Sequence, residues 1–257
     1  MSKQLFGALL LLISFKPSAQ NLFEGEYILF GLGGQIENFK DDFVSPLIYQ
    51  GYSGAAGIGW HSQHGAWQNN FDGHIAVGLQ SPRSLMDVDN QTTTVSGSIN
   101  YSLRYRVIKE DKHALFLGLS SANLIGFRRH SLYRNSALSF SNFFSYGLSA
   151  SWQFQPKLSL WGNKVPLAWQ SELNFPLASY LIMPGYTRQS FNDESGFKSH
   201  RFIGDFWHLE LRHNLVYPLK NGNQIRLSYH WNYAELNSLN YLSQAQHYLM
   251  IHLMFKL

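Results

Sequence analysis

The chain ends on a stretch in which large apolar side chains strictly alternate with more polar ones. From Leu249 onward, every second residue is bulky and apolar: Leu249, Ile251, Leu253, Phe255 and Leu257. The other register is polar or amphipathic at most positions. Successive side chains on a β-strand point to opposite faces, so this segment predicts a strand with one apolar and one wetter face. The apolar face must meet either a protein core or lipid.

The same alternation recurs in ten segments, each long enough for a tilted strand to cross a bilayer, which takes roughly 9–11 residues. In residues 225–233, for example, Arg226, Ser228 and His230 alternate with aliphatic and aromatic side chains. The predicted strands are 24–37, 48–62, 67–80, 93–108, 113–127, 142–154, 165–180, 206–219, 224–236 and 246–257.

The aromatic residues favour a membrane barrel over a secreted β-sandwich, which would also alternate. The chain has 14 Tyr, 19 Phe and 7 Trp but only 14% charged residues. Several apolar faces finish in Trp or Tyr, as at Trp60, Trp169, Trp207 and Tyr217. Aromatic girdles at the two lipid–water interfaces produce this pattern.

Connection lengths point the same way, because short and long connections alternate. Short ones include "SQHGA", "KEDK" and "KNGN", and "QPKLSLWGNK" is the exception. Longer ones include "ENFKDDFVSPLI" at 37–48, "NSLNYLSQA" at 237–245 and residues 181–205. We therefore predict an all-β fold, a single-chain antiparallel transmembrane β-barrel of about ten strands with both termini in the periplasm. The range is eight to twelve, and a short hairpin in 155–164 or 181–205 would give twelve.

Residues 1–20 read as a secretory signal peptide, with Lys3 ahead of the apolar run from Leu5 to Phe15 and small residues near Ala19. The barrel domain is then expected at 21–257. Zero cysteines exclude disulfides and thiolate metal sites. Loss of the signal removes two of the 20 basic residues, against 16 acidic ones. This near-balance argues against nucleic acid as a partner.

The signal, the alternating strands and the apolar last strand together resemble a bacterial outer-membrane β-barrel. The ending "SAQ" and the stretch "SPLIYQGYSGAAGIGW" are similar in style to barrels of the Bacteroidota. In this class the last strand is recognised by the barrel-assembly machinery and most often ends in Phe or Trp, whereas here Phe255 is third from the end. The resemblance implies a Gram-negative outer membrane, contact with lipid and lipopolysaccharide, and that machinery as a partner.

If the aromatic faces meet lipid, the opposite faces line the lumen. Residues 51–59 and 145–153 contribute small side chains there, and other segments contribute charge. The expected lumen charge network comprises Asp72, His74, Arg104, Arg106, Glu172, His208, Glu210, Arg212 and His230, with His252 and Lys256 as further candidates. In a narrow barrel opposite charges can pair, as buried charges must. We expect a largely plugged polar lumen, with a narrow passive channel for small solutes as the alternative.

Catalytic patterns are weak. Ser228 and His230 share a face, as a lipid or lipopolysaccharide hydrolase would need, but such i,i+2 pairs are common. Asp87 and Asp89 are similar to the paired aspartates of outer-membrane aspartyl-type proteases, but the matching Asp-x-His is missing. We therefore expect no catalytic residues, no cofactor and no metal site, and keep a hydrolase as a second alternative.

The long connection 181–205 mixes aromatic and charged residues, and loops on a rigid scaffold commonly carry recognition. The candidate external binding residues are Tyr186, Arg188, Phe191, Lys198 and Arg201. The sequence favours a non-enzymatic scaffold, an accessory subunit with a protein partner in an outer-membrane complex, or a surface-binding protein.

Overall fold

A computed structural model describes residues 22–42, 45–83, 91–130, 138–160, 163–183, 197–237 and 241–257. The predicted signal at residues 1–20 lies outside this described part. Within it, no helix is long and apolar enough to span a bilayer.

The described residues form thirteen β-strands. They are β1 (Gly25–Asp41), β2 (Ser45–His64), β3 (Trp67–Pro82), β4 (Thr92–Lys109), β5 (His113–His130), β6 (Leu138–Phe154), β7 (Lys157–Leu160), β8 (Asn163–Pro166), β9 (Ala168–Met183), β10 (Phe197–Phe202), β11 (Phe206–Pro218), β12 (Gln224–Leu236) and β13 (Leu242–Lys256). Ten of them close an antiparallel barrel in the order β1-β2-β3-β4-β5-β6-β9-β11-β12-β13. The predicted ten-strand barrel is confirmed.

The alternating C-terminal segment closes the barrel. β13 pairs with β1 along its whole length, from Tyr27 opposite Lys256 to Asp41 opposite Leu242. The backbone N–H of Leu257 donates to the carbonyl of Glu26 at 2.9 Å. A closed barrel leaves no long unpaired edge, which is the requirement for a sheet in lipid.

Two predicted loops are wrong because the strands continue into them. β1 runs to Asp41 and β2 starts at Ser45, so most of the predicted 37–48 loop is strand. Likewise β13 starts at Leu242, inside the predicted 237–245 loop. Polar residues on the lumen-facing side of a strand end have the same composition as a loop, which hides the true boundary.

A hairpin does occupy the 155–164 connection, but it does not enlarge the barrel. β7 and β8 pair only with each other in a separate two-stranded sheet. β10 pairs with the last residues of β9, from Phe197 opposite Met183 to Phe202 opposite Ala178. The twelve-strand alternative is therefore wrong.

The barrel has two distinct ends. The terminus end holds Gly25, Lys256 and the tight turn between His64 and Trp67, where Gly65 adopts a positive φ of 58°. The loop end holds the connections that follow β1, β3, β5, β9 and β12.

Large apolar side chains are exposed on the outer face of all ten barrel strands, which is the inverse of a soluble protein. Leu32 is 73% exposed and Leu119 is 66% exposed. Aromatic side chains edge this belt at the terminus end, where Trp67 packs against Tyr105 and Trp60 Nε1 donates to Glu26 Oε1 at 2.8 Å. A belt of this kind is covered by hydrocarbon, with aromatic residues at its border.

Candidate functional site

The lumen is crossed by ion pairs that join distant strands. Arg104 on β4 donates from Nη2 to Glu172 Oε2 on β9 at 3.0 Å, and both side chains are buried. The same guanidinium donates from Nε to Ser149 Oγ at 2.6 Å and from Nη1 to Gln68 Oε1 at 3.0 Å. Each of the three guanidinium nitrogens thus donates a hydrogen bond, which compensates the cost of burying the charge.

A second pair spans the barrel. Arg212 on β11 holds both carboxylate oxygens of Asp72 on β3, with Nη2 2.7 Å from Oδ2. β3 and β11 are five strands apart in the ten-strand order, so this bidentate pair connects opposite walls. We call these two ion pairs, Arg104–Glu172 and Asp72–Arg212, the polar layer; both lie in the half nearer the terminus end.

A third pair lies near the loop end and was not predicted. Arg128 Nη2 donates to Glu37 Oε1 at 2.8 Å, and both side chains are buried. Gln244 Nε2 also donates to Glu37 Oε1 at 2.8 Å, and Gln80 Nε2 donates to Oε2. Glu37 is the last residue of the predicted strand 24–37, and Arg128 directly follows the predicted strand 113–127. The available signal was that the two-residue period continues past these predicted strand ends.

Beside this pair, the loop end of the lumen is filled by apolar side chains. The Arg128 guanidinium lies 3.5 Å above the ring of Phe39. The cluster, called the apolar plug, consists of Phe39, Leu124, Phe143, Leu181, Met183, Phe206, Ala234, Leu236 and Leu242. Sequence analysis predicted a polar filling only; the inward apolar positions look like lipid-facing ones in the sequence.

The predicted lumen histidines lie inside and pack on other side chains. His74 packs on Tyr248 and His230, with ring centroids 4.3 Å and 5.3 Å apart. His208 Nδ1 lies 3.0 Å from Ser145 Oγ.

Glu210 is also buried in the lumen. Its Oε2 accepts from Asn174 Nδ2 at 2.8 Å, and its Oε1 is 3.8 Å from His230 Nε2. Arg106 lies apart from this group, half-buried at the terminus end opposite Phe116, and Lys256 is exposed at the same rim.

Small residues let these long side chains lie flat against the wall. A Cβ on Gly31 would sit 2.2 Å from the His252 ring, and one on Gly33 would sit 2.8 Å from the Met250 backbone. Glycine at these positions is a packing requirement.

Ser228 and His230 do not form the pair that a hydrolase would need. Ser228 Oγ donates to Asn214 Oδ1 at 2.8 Å and lies 3.3 Å from Nδ1 of His252, not of His230. Ser228 is buried inside the barrel, away from the lipid-facing surface.

The candidate binding loop is only partly described. Lys198 and Arg201 lie on β10, where Lys198 is exposed and Arg201 Nη1 is 3.7 Å from Asp205 Oδ2. Tyr186, Arg188 and Phe191 lie outside the described residues, as do Asp87 and Asp89.

Similar folds occur among solved bacterial structures. The outer membrane protease OmpT from Escherichia coli superposes with a TM-score of 0.52 at 8% identity, covering 95% of this chain and 100% of that one. The fold is that of a bacterial outer-membrane β-barrel. The translocator domain of autotransporter NalP from Neisseria meningitidis gives a TM-score of 0.47 at 10% identity, covering 99% and 94%. Neisserial surface protein A gives 0.39 at 11% identity, covering 91% and 98%.

No protein-family model matches this sequence, and no curated protein matches it either. The structural similarity to OmpT confirms, at the level of fold, the resemblance to outer-membrane barrels that the sequence indicated. The apolar outer belt independently supports an outer-membrane location, because only lipid can cover it on every strand.

Proposed function

We propose that this chain is a non-enzymatic, non-conducting outer-membrane barrel that acts as a scaffold, an accessory subunit or a surface-binding protein. The observation that carries the proposal is the filled lumen. The two ion pairs of the polar layer occupy the half nearer the terminus end, and the Arg128–Glu37 pair and the apolar plug occupy the loop end. A water-filled path would need a continuous polar opening, and the plug interrupts it with dry side chains.

In this proposal the termini face the periplasm and the loop end faces outside, as in barrels with longer external loops. The outer belt contacts lipid and lipopolysaccharide, and β13 serves the barrel-assembly machinery as a recognition strand. Partners then bind at the loop end. There β10 pairs with the last residues of β9, is not one of the ten barrel strands, and exposes Lys198.

Conductance tests the sealed lumen. The refolded barrel is inserted into planar lipid bilayers, and its current is compared with that of protein-free detergent. We expect no stepwise conductance. Stable ohmic steps from a correctly folded sample would reject the proposal in favour of a narrow channel.

Purification from the native membrane tests the binding role. We expect a stoichiometric companion that is lost when Lys198 and Arg201 are both changed to alanine. The matched control changes Lys220 and Lys256 at the terminus end, which removes the same charge and should retain the companion. If the companion stays bound to the Lys198/Arg201 variant but is lost from the Lys220/Lys256 variant, recognition lies at the terminus end and the proposal is wrong.

Ser228→Ala addresses the hydrolase alternative. Because Ser228 is buried and donates to Asn214, any lipid release by the wild type should persist unchanged in this variant.

A further inference from the structure

One arginine close to the polar layer lacks a carboxylate partner. Arg226 lies on β12, faces the lumen and is 6% exposed. Its Nε and Nη2 atoms are buried and have no hydrogen-bond partner in the described part of the chain. A buried charge is tolerated only when another group compensates it. These two donor atoms therefore call for a hydrogen-bond acceptor.

The first candidate carboxylate is Glu172, whose charge acts on Arg226 without a direct hydrogen bond. Glu172 Oε2 accepts from Arg104, as described above. Glu172 Oε1 accepts from Asn70 Nδ2 at 3.2 Å and from Asn214 Nδ2 at 3.4 Å. Glu172 thus attracts Arg226 electrostatically but accepts its hydrogen bonds from Arg104, Asn70 and Asn214.

The other two lumen carboxylates of this half make no direct hydrogen bond to Arg226. Asp72 gives both oxygens to Arg212. Glu210 accepts from Asn174 through Oε2, while its Oε1 has no hydrogen-bond partner among the described residues. Glu210 does not border the cavity beside Arg226.

That cavity has a volume of about 40 Å³. Gly57 and Gly59 on β2 face the lumen and leave this space open. The bordering polar side chains are Asp72, His74, Arg212, Arg226, Ser228, His230 and His252. His230 Nε2 is a further buried atom without a hydrogen-bond partner among the described residues. The volume suffices for about three water molecules, or for one monatomic anion, and is too small for a phosphate with its hydration.

We propose that this cavity binds one halide-sized anion, which pairs with the Arg226 guanidinium inside the barrel. The anion supplies the hydrogen-bond acceptor for Arg226 Nε and Nη2 that Glu172, Asp72 and Glu210 do not. It acts as a structural ion, so its presence does not depend on what the loop end binds.

Bromide is the direct probe. The barrel is refolded and crystallised in sodium bromide, and data are collected at the bromine absorption edge. We expect an anomalous peak inside the lumen beside the Arg226 guanidinium. A well-ordered cavity that holds only water, with no anomalous peak, would overturn the proposal.

Thermal unfolding gives the second readout. The wild type refolded in chloride or bromide should melt about 2–4 °C higher than in gluconate of equal ionic strength, because gluconate is too large for the cavity. Arg226→Met should abolish this difference. Arg106→Met, which removes an arginine outside the cavity, should preserve it.

Two outcomes of the melting series would contradict the site. One is an equal midpoint in all three salts for the folded wild type, and the other is a halide effect that survives in Arg226→Met. If Arg226→Met does not refold, the wild-type bromide crystal still decides the question.

Discussion

The inner and outer faces of the same strands meet opposite chemical demands. On β13, Met250 faces the lumen and is 4% exposed, whereas its neighbour Ile251 faces outward and is 58% exposed. Outside, fluid hydrocarbon accepts any bulky apolar side chain. Inside, close packing and a low dielectric require a particular partner for each group. The outer face should therefore tolerate conservative change, and the inner face should not.

The largest effect is expected in the polar layer. Arg104→Ala leaves Glu172 buried without its ion pair and removes the donors to Ser149 and Gln68. Breaking one side of a buried pair costs about 3–5 kcal/mol of unfolding free energy. Urea unfolding from lipid vesicles measures this loss.

A double variant separates charge from packing. Replacing Arg104 with Met and Glu172 with Gln removes both charges and keeps most of the volume. The double variant should recover much of the unfolding free energy that Arg104→Ala loses, because no uncompensated charge remains. Equal instability of the single and double variants would show that shape, not charge pairing, governs this position.

A charge on the outer face gives the next largest effect. Ile251→Arg places a cation in hydrocarbon and should cost about 2–4 kcal/mol. Ile251→Leu at the same site should be close to neutral. The comparison fails if the arginine variant unfolds at the same urea concentration as the wild type, since that position would then be in water.

The smallest effect concerns polar groups on the lipid side. Ser171 Oγ lies 2.9 Å from Nδ1 of the outward-facing His213 and accepts from Trp169 Nε1 at 2.8 Å. Hydrogen bonds of this kind in membranes average about 0.6 kcal/mol. Ser171→Ala removes two such bonds and should therefore lower the unfolding free energy by about 1.2 kcal/mol, measured in the same vesicle assay. A loss as large as that of Arg104→Ala would mean that the hydrogen bonds of Ser171 are a main source of barrel stability.

The strands could be predicted because their outer faces repeat with a period of two. The pattern of Ile225, Leu227 and Tyr229 is sufficient to identify β12 and its lipid side. The ends of the strands are harder to predict from the sequence, because Glu37 resembles a loop residue until its partner Arg128 is known. A one-residue irregularity also reverses the faces of β9, where inward positions change from Asn174 to Ser179 and Leu181 across a register shift.

The partners inside the lumen could not be predicted from the sequence. Asp72 and Arg212 are 140 residues apart, and they meet only because the order of strands around the barrel sets β3 against β11. Likewise, only the structure reveals that Nε and Nη2 of Arg226 have no hydrogen-bond partner among the described residues.

Spin-label accessibility on β13 tests the central claim most directly, namely that hydrocarbon surrounds the outer face of the barrel. The chain has no cysteine, so single cysteines at Leu249, Ile251 and Leu253 can carry nitroxides without background labelling. In lipid vesicles, we expect all three to collide with dissolved oxygen and to be shielded from a water-soluble nickel complex. Strong relaxation by nickel at these positions, or a compact monomer with the same fold in detergent-free buffer, would contradict the account.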